Sequence, residues 1–209
     1  LEEKHVRQNK CPIAHLEWKE NGQSQAAALV ETVDILLASG GNRSGKTHFL
    51  VAEMTATMLG YRPWLVPNFK MVLNPDTGQL DFPPRDQVPV SAWVKRSDGL
   101  PIRHPASLLF VTGLSQTKGL GIIQKKFLEL LPKGYDVKPY LGPLGTWQKI
   151  TIHDSTLLMG ADTQSVQMFE GENYDLAAFD EPIRKAIYTA VKRGLVDHRG
   201  RLMWAMTPL

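Results

Sequence analysis

The chain has 209 residues, 43% of them hydrophobic and 22% charged, a balance that gives one globular domain a buried core and excludes a disordered, collagen-like or coiled-coil chain. Twenty-four Lys and Arg against twenty-one Asp and Glu leave a net charge of +3, which permits a polyanionic partner without requiring one. The single cysteine, Cys11, cannot form a disulfide within the chain, no apolar run is long enough to cross a membrane, and LEEKHVRQNK is too charged for a signal peptide. These features point to a reducing cytoplasm and no membrane partner. The chain starts at Leu1 and stops just past the apolar run RLMWAMTPL, so it reads as a piece of something longer.

Residues 1–22 form a polar, basic N-terminal extension, followed by an alanine-rich helical stretch, QSQAAALVETV, and a β-like run, VDILLAS, that ends in glycines. A helix is predicted from Lys46 to Leu59. Residues 61–105 are a proline-rich insertion: eight of the fourteen prolines fall between Pro63 and Pro105, a density that excludes a long helix. Inside it FKMVLN and QLDF flank the turn-like PDTG, the pattern of a small hairpin. SLLFVTG is predicted as a buried strand, and a helix follows from Gln116 to Leu131 with an apolar stripe of Ile122, Ile123, Phe127, Leu130 and Leu131, closed by Pro132. A hairpin (QKITIH, STLLMG), a strand (DLAAFD), a basic helix from Pro182 to Val196 and a last strand (RLMWAMT) complete one domain spanning 1–209. Alternation of strand and helix predicts an α/β fold, with a mostly parallel sheet and helices on both faces.

Residues 40–47, GGNRSGKT, satisfy the pattern G-x-x-x-x-G-K-[ST] between a strand and a helix, the setting of a P-loop. In such a loop backbone N–H groups converge at a helix N-terminus, where the partial positive charge favours phosphate. Gly40, Gly41, Asn42, Arg43, Ser44 and Gly45 would cradle the phosphates of ATP, Lys46 would reach the β- and γ-phosphates, and the Thr47 hydroxyl would ligate Mg²⁺. The run LAAFDE then delivers two adjacent carboxylates to the C-terminal end of a strand, where open α/β sheets bind ligands. Asp180 is the candidate metal ligand and Glu181 the candidate base for a water attacking the γ-phosphate, which favours hydrolysis over transfer. Thr207, at the tip of the last strand, is a candidate sensor of the phosphate state.

These motifs, with LLFVTGLSQTKGLGIIQKKFLELLP, FEGENYDLAAFDEP and the closing GRLMWAMTP, fall in the order seen in the large terminase subunit of tailed bacteriophages, and residues 23–209 resemble its ATPase domain. The resemblance implies a RecA-like P-loop NTPase fold with an additional strand (ASCE), in which ATP hydrolysis drives double-stranded DNA into a procapsid in the cytoplasm of an infected bacterial host. It further implies a portal and a small terminase subunit as partners, and self-association into a ring. Residue by residue, the resemblance implies that Lys46 and Thr47 bind triphosphate and Mg²⁺, that Asp180 holds the metal, that Glu181 is the base and that Thr207 couples. Arg43 matches an arginine such motors carry in the loop, able to reach the γ-phosphate or Glu181, and Gln25, or Gln23, resembles a glutamine that reads adenine, with a plain helix-surface glutamine the other reading. The family's C-terminal nuclease cannot be assigned to this chain, so no DNA cutting is expected of it. A helicase-type P-loop motor and a nucleotide-gated subunit without productive hydrolysis are the alternative readings.

Cys11 and His15 read as a surface thiol and a surface histidine. The stretch 184–201 carries six Lys or Arg and one Asp, and is either a DNA-tracking face or a solvated one. No arginine lies between Arg103 and Arg184, so an arginine supplied to a neighbouring subunit would come from Arg193, Arg199 or Arg201, or else from Arg62 or Arg103.

Overall fold

The computed structural model describes residues 11–16, 33–40, 45–133 and 135–207. In chain order the elements are β1 (Ile35–Ser39), α1 (Lys46–Leu59), β2 (Val72–Leu73), β3 (Leu80–Asp81), β4 (Ser107–Thr112), α2 (Gln116–Leu130), β5 (Lys138–Leu141), β6 (Trp147–Ile152), β7 (Ser155–Ala161), β8 (Leu176–Asp180), α3 (Lys185–Val196) and β9 (Arg201–Met206). The helix expected within residues 23–33 lies outside the described residues, apart from the last of them.

Seven strands form one sheet in the order β1-β9-β8-β4-β7-β6-β5, and β2 pairs with β3 separately. From β1 to β7 the neighbours run parallel, while β6 and β5 add an antiparallel flank. The last strand, β9, is thus inserted between β1 and β8, the additional strand of the expected fold. Parallel strands covered on both faces must be apolar on both faces, and β4 shows how: Leu108 and Phe110 join the core beneath α1 and α2, whereas Leu109 and Val111 join the core beneath α3.

The helix α1 is buried along its length from Phe49 to Leu59 and stops at Gly60, whose φ of +78° gives a left-handed cap. In α2 the stripe differs from expectation. Leu120, Ile123, Phe127 and Leu130 are its buried apolar residues, at helical spacing, while Ile122 is 39% exposed because it falls between them. The strand β5 was not anticipated; all four of its residues are exposed and one is Pro139, so it carries no alternation to read. Cys11 is also not a surface thiol. The turn Pro12–His15 tucks Cys11 and Ile13 into the core, and burial pushes the thiol up to about 11.

The insertion is ordered without much regular structure. Its 3₁₀ turns at Pro63–Leu65, Arg85–Gln87 and Val90–Ala92 each begin with or directly follow a proline. The hairpin turn is closed by Asn74, whose side chain accepts from the Asp76 and Thr77 amides at 2.9 and 3.3 Å. Among the described residues no helix is long and apolar enough to cross a membrane.

Candidate nucleotide site

Because β1, β9, β8 and β4 are parallel, their C-terminal ends lie along one edge of the sheet, and the chain's reactive side chains gather there. The strand β1 ends at Ser39, and the Gly40 amide donates to the Met206 carbonyl of β9 at 3.2 Å. Gly41, Asn42, Arg43, Ser44 and Gln25 lie outside the described residues. Gly45, with φ +86°, starts α1 from the left-handed region, a conformation glycine adopts without steric cost. Lys46 Nζ reaches back across the loop and donates to the Gly40 carbonyl at 2.5 Å. The Thr47 hydroxyl donates to Asp180 Oδ1 at 3.0 Å, which ties the first turn of α1 to the tip of β8.

Asp180 is 6% exposed. Burial pushes its carboxyl above the ordinary range; the Thr47 hydrogen bond offsets part of this, the charge of Glu181 adds to it and Lys46 opposes it. A hydroxyl and a buried carboxylate are hard oxygen donors of the kind Mg²⁺ takes. A carboxylate disfavoured by burial is one that a divalent cation would stabilise. The pair therefore fits the metal site expected of it.

The next residue, Glu181, has φ +69°, a conformation that costs an L-residue about 1–2 kcal/mol. Several contacts hold it there. Its amide donates to the Ala205 carbonyl at 2.8 Å, and its own carbonyl accepts from the Trp204 indole at 3.1 Å. Its carboxylate takes both donors of Thr207, the hydroxyl at 2.7 Å and the amide at 3.2 Å. Beneath the turn, the Gly113 amide donates to the Asp180 carbonyl at 2.8 Å, and a Cβ on Gly113 would stand 2.1 Å from the Pro182 carbonyl oxygen. Strain at a non-glycine residue, held by this many partners, is a mark of functional sites.

Lys46, Thr47, Asp180, Glu181 and Thr207 are therefore brought together. The sequence reading missed Gly113 and Trp204. A glycine closing a buried strand, as in SLLFVTG, was a usable signal for close backbone approach; a tryptophan in an apolar strand carried none.

Superposition on solved structures follows this geometry. The large terminase of bacteriophage HK97 matches with a TM-score of 0.54 over 96% of this chain and 35% of that one, at 14% identity. The chain has the fold of that part of the large terminase. The large terminase of a thermophilic bacteriophage gives 0.53 over 92% of this chain and 40% of that one at 11% identity. A second crystal form of that terminase, in complex with ADP, gives 0.50 over 89% and 38% at 12% identity. The chain spans well under half the length of the terminases it matches. No protein-family model and no curated protein sequence matches it.

Within this terminase fold the arginines sort by position. Arg62 is buried against Glu53, with Nε and Nη2 at 3.1 and 2.8 Å from its carboxylate, and Arg201 is 2% exposed, so both lie inside the fold. Arg103 and Arg199 stand at the opposite edge of the sheet, facing Asp175 at 3.1 Å and Asp98 at 3.5 Å. The basic stretch 184–201 is accordingly not one face: Arg184 is tied to Asp162, Lys192 and Arg193 are exposed and Arg201 is inside.

Proposed function

We propose that this chain is the ATPase domain of a phage large terminase subunit, working in the cytoplasm of an infected bacterium, where ATP hydrolysis drives double-stranded DNA through a portal into a procapsid. The observation that carries the reading is the convergence of Lys46, Thr47, Asp180, Glu181 and Thr207 at one edge of a sheet whose strands are ordered so that β9 separates β1 from β8. A ring of copies and a small terminase subunit are the remaining partners of this reading.

In it, the loop amides and Lys46 neutralise the triphosphate, and Thr47 with Asp180 would hold Mg²⁺. The ion, when bound, supplies positive charge to the β- and γ-phosphates. Glu181 orients a water and takes its proton on a carboxylate oxygen as the water oxygen attacks the γ-phosphorus; the γ-phosphoryl group leaves as phosphate and ADP remains. Thr207 grips both oxygens of that carboxylate, so the protonation and occupancy of the site are felt directly at the tip of β9. From there the change passes along a strand that lies in register with both β1 and β8. A neutral Glu181 is a poorer acceptor for the Thr207 donors than a charged one, which gives turnover a mechanical consequence.

The test is phosphate release from ATP by the chain, with and without Mg²⁺ and linear double-stranded DNA, beside a nucleotide titration. Mg²⁺-dependent hydrolysis supports the reading. Tight binding with no release under any condition would favour a nucleotide-gated subunit, and absence of binding would reject the site.

A further inference from the structure

The aromatic side chain behind Glu181 is built more carefully than a core residue needs. Trp204 faces the α3 side of the sheet, opposite Phe179 in the β8–β9 register. Its indole meets the Phe179 ring edge-on, with centroids 5.4 Å apart at 82°, and stacks on Tyr188 of α3 at 5.8 Å and 27°. Two rings from two different elements thus fix the plane of the indole. In that plane its only hydrogen-bond donor, Nε1–H, points past the end of β8 to the Glu181 carbonyl at 3.1 Å. That carbonyl belongs to the peptide that follows the left-handed φ of +69°.

We infer that Trp204 is a positioning residue for the hydrolytic reaction, its indole N–H holding the Glu181 backbone in the left-handed conformation that sends the carboxylate to Thr207 and the nucleotide edge. This rests on the ATPase reading above. The reason is directional. The Ala205 carbonyl fixes the amide side of Glu181, Thr207 fixes the tip of its side chain, and the ring of Pro182 restricts the peptide that follows. The indole N–H adds a direct hold on the carbonyl of that peptide. Because the same ring lies on Tyr188, the orientation of the base is also linked to the first turns of α3, the helix that leaves the Glu181 turn.

The Trp204→Phe variant keeps an aromatic ring between Phe179 and Tyr188 and removes the N–H. Steady-state hydrolysis should show kcat lowered by about tenfold, the worth of one well-placed hydrogen bond, with KM for ATP within twofold of wild type. In a Glu181→Gln background the same change should cost less than twofold, since a positioning residue has nothing left to position. Wild-type kcat in Trp204→Phe, or an equal loss in both backgrounds, overturns the proposal. A second reading does not depend on turnover. In ¹⁵N-labelled chain the Trp204 indole resonance, identified by its disappearance in Trp204→Phe, should exchange slowly with solvent and shift in Glu181→Gly, where the backbone constraint is relaxed. Fast exchange overturns the link even in an active enzyme. A protected indole in a chain that hydrolyses nothing would leave the link standing and reject the ATPase reading instead.

Discussion

Two regions of this molecule are ordered in opposite ways. At the C-terminal edge of the sheet the order is chemical: a few polar side chains are aimed at one another by strand ends, and the backbone accepts strain at Glu181 to do it. In the insertion between Tyr61 and Pro105 the order is structural. Its polypeptide is held by side chains away from that edge: Arg62 to Glu53 of α1 at 2.8 Å, the Tyr61 hydroxyl to the Pro83 carbonyl at 2.9 Å, and Asp81 to the Tyr135 hydroxyl at 2.9 Å and His153 at 3.2 Å. Phe82, 1% exposed, packs edge-on against Tyr135 at 5.1 Å. The difference teaches that substitutions at the edge should change chemistry and leave stability alone, and substitutions in the anchors should do the reverse.

The sharpest break in that contrast would come from Lys46→Ala. Removing the ammonium should abolish measurable MgATP binding while the melting temperature stays within a degree or two, because Lys46 lies on the partly exposed first turn of α1. A nucleotide titration beside a thermal melt checks both halves. Next in size is Glu53→Gln, which leaves the buried Arg62 guanidinium without its countercharge and should cost about 3–5 kcal/mol of folding stability. Denaturant unfolding measures the loss, and nucleotide affinity of the folded variant should be unchanged; a large fall in affinity would mean that the two regions are not separable.

A smaller effect in energy, though conspicuous in rate, is expected of Glu181→Gln. It preserves shape and removes the proposed base, so ATP should still bind while turnover drops by about 10²-fold or more. Near-normal phosphate release would place the base elsewhere.

The mildest expectation concerns Asp81. Burial pushes its carboxyl up, but the Tyr135 hydroxyl, the charge of His153 and the Phe82 amide together bring it below the ordinary aspartate range. A carboxyl lowered in the folded state contributes stability that is present above the unfolded value and is lost as pH falls through the folded one. Asp81→Asn should therefore cost about 1 kcal/mol near neutrality and flatten the decline of stability below about pH 4. Urea midpoints measured from pH 3 to 7 test the sign; a variant that loses as much stability at pH 3 as at pH 7 would exclude the linkage.

What the sequence determined by itself is the G-x-x-x-x-G-K-T pattern, the carboxylate pair and the strands beside them. The proposed chemistry allows few residue types there: glycine where φ is positive, lysine to face a phosphate, an acid at the end of an apolar strand. The parallel core was legible for the same kind of reason, since strands buried on both faces read as unbroken apolar runs. Tertiary structure alone decided the rest. That β9 lies between β1 and β8, and so places Thr207 against Glu181, is a matter of strand order, which no local pattern encodes. The exposed β5 offered no alternation, and Ile122 and Leu120 exchanged places because helix phase is set by what the helix packs on. The burial of Cys11, Arg62 and Arg201, and the aim of the Trp204 indole, depend on neighbours distant in sequence. A residue's type gives its chemical capacity, while long-range packing decides which partner receives it.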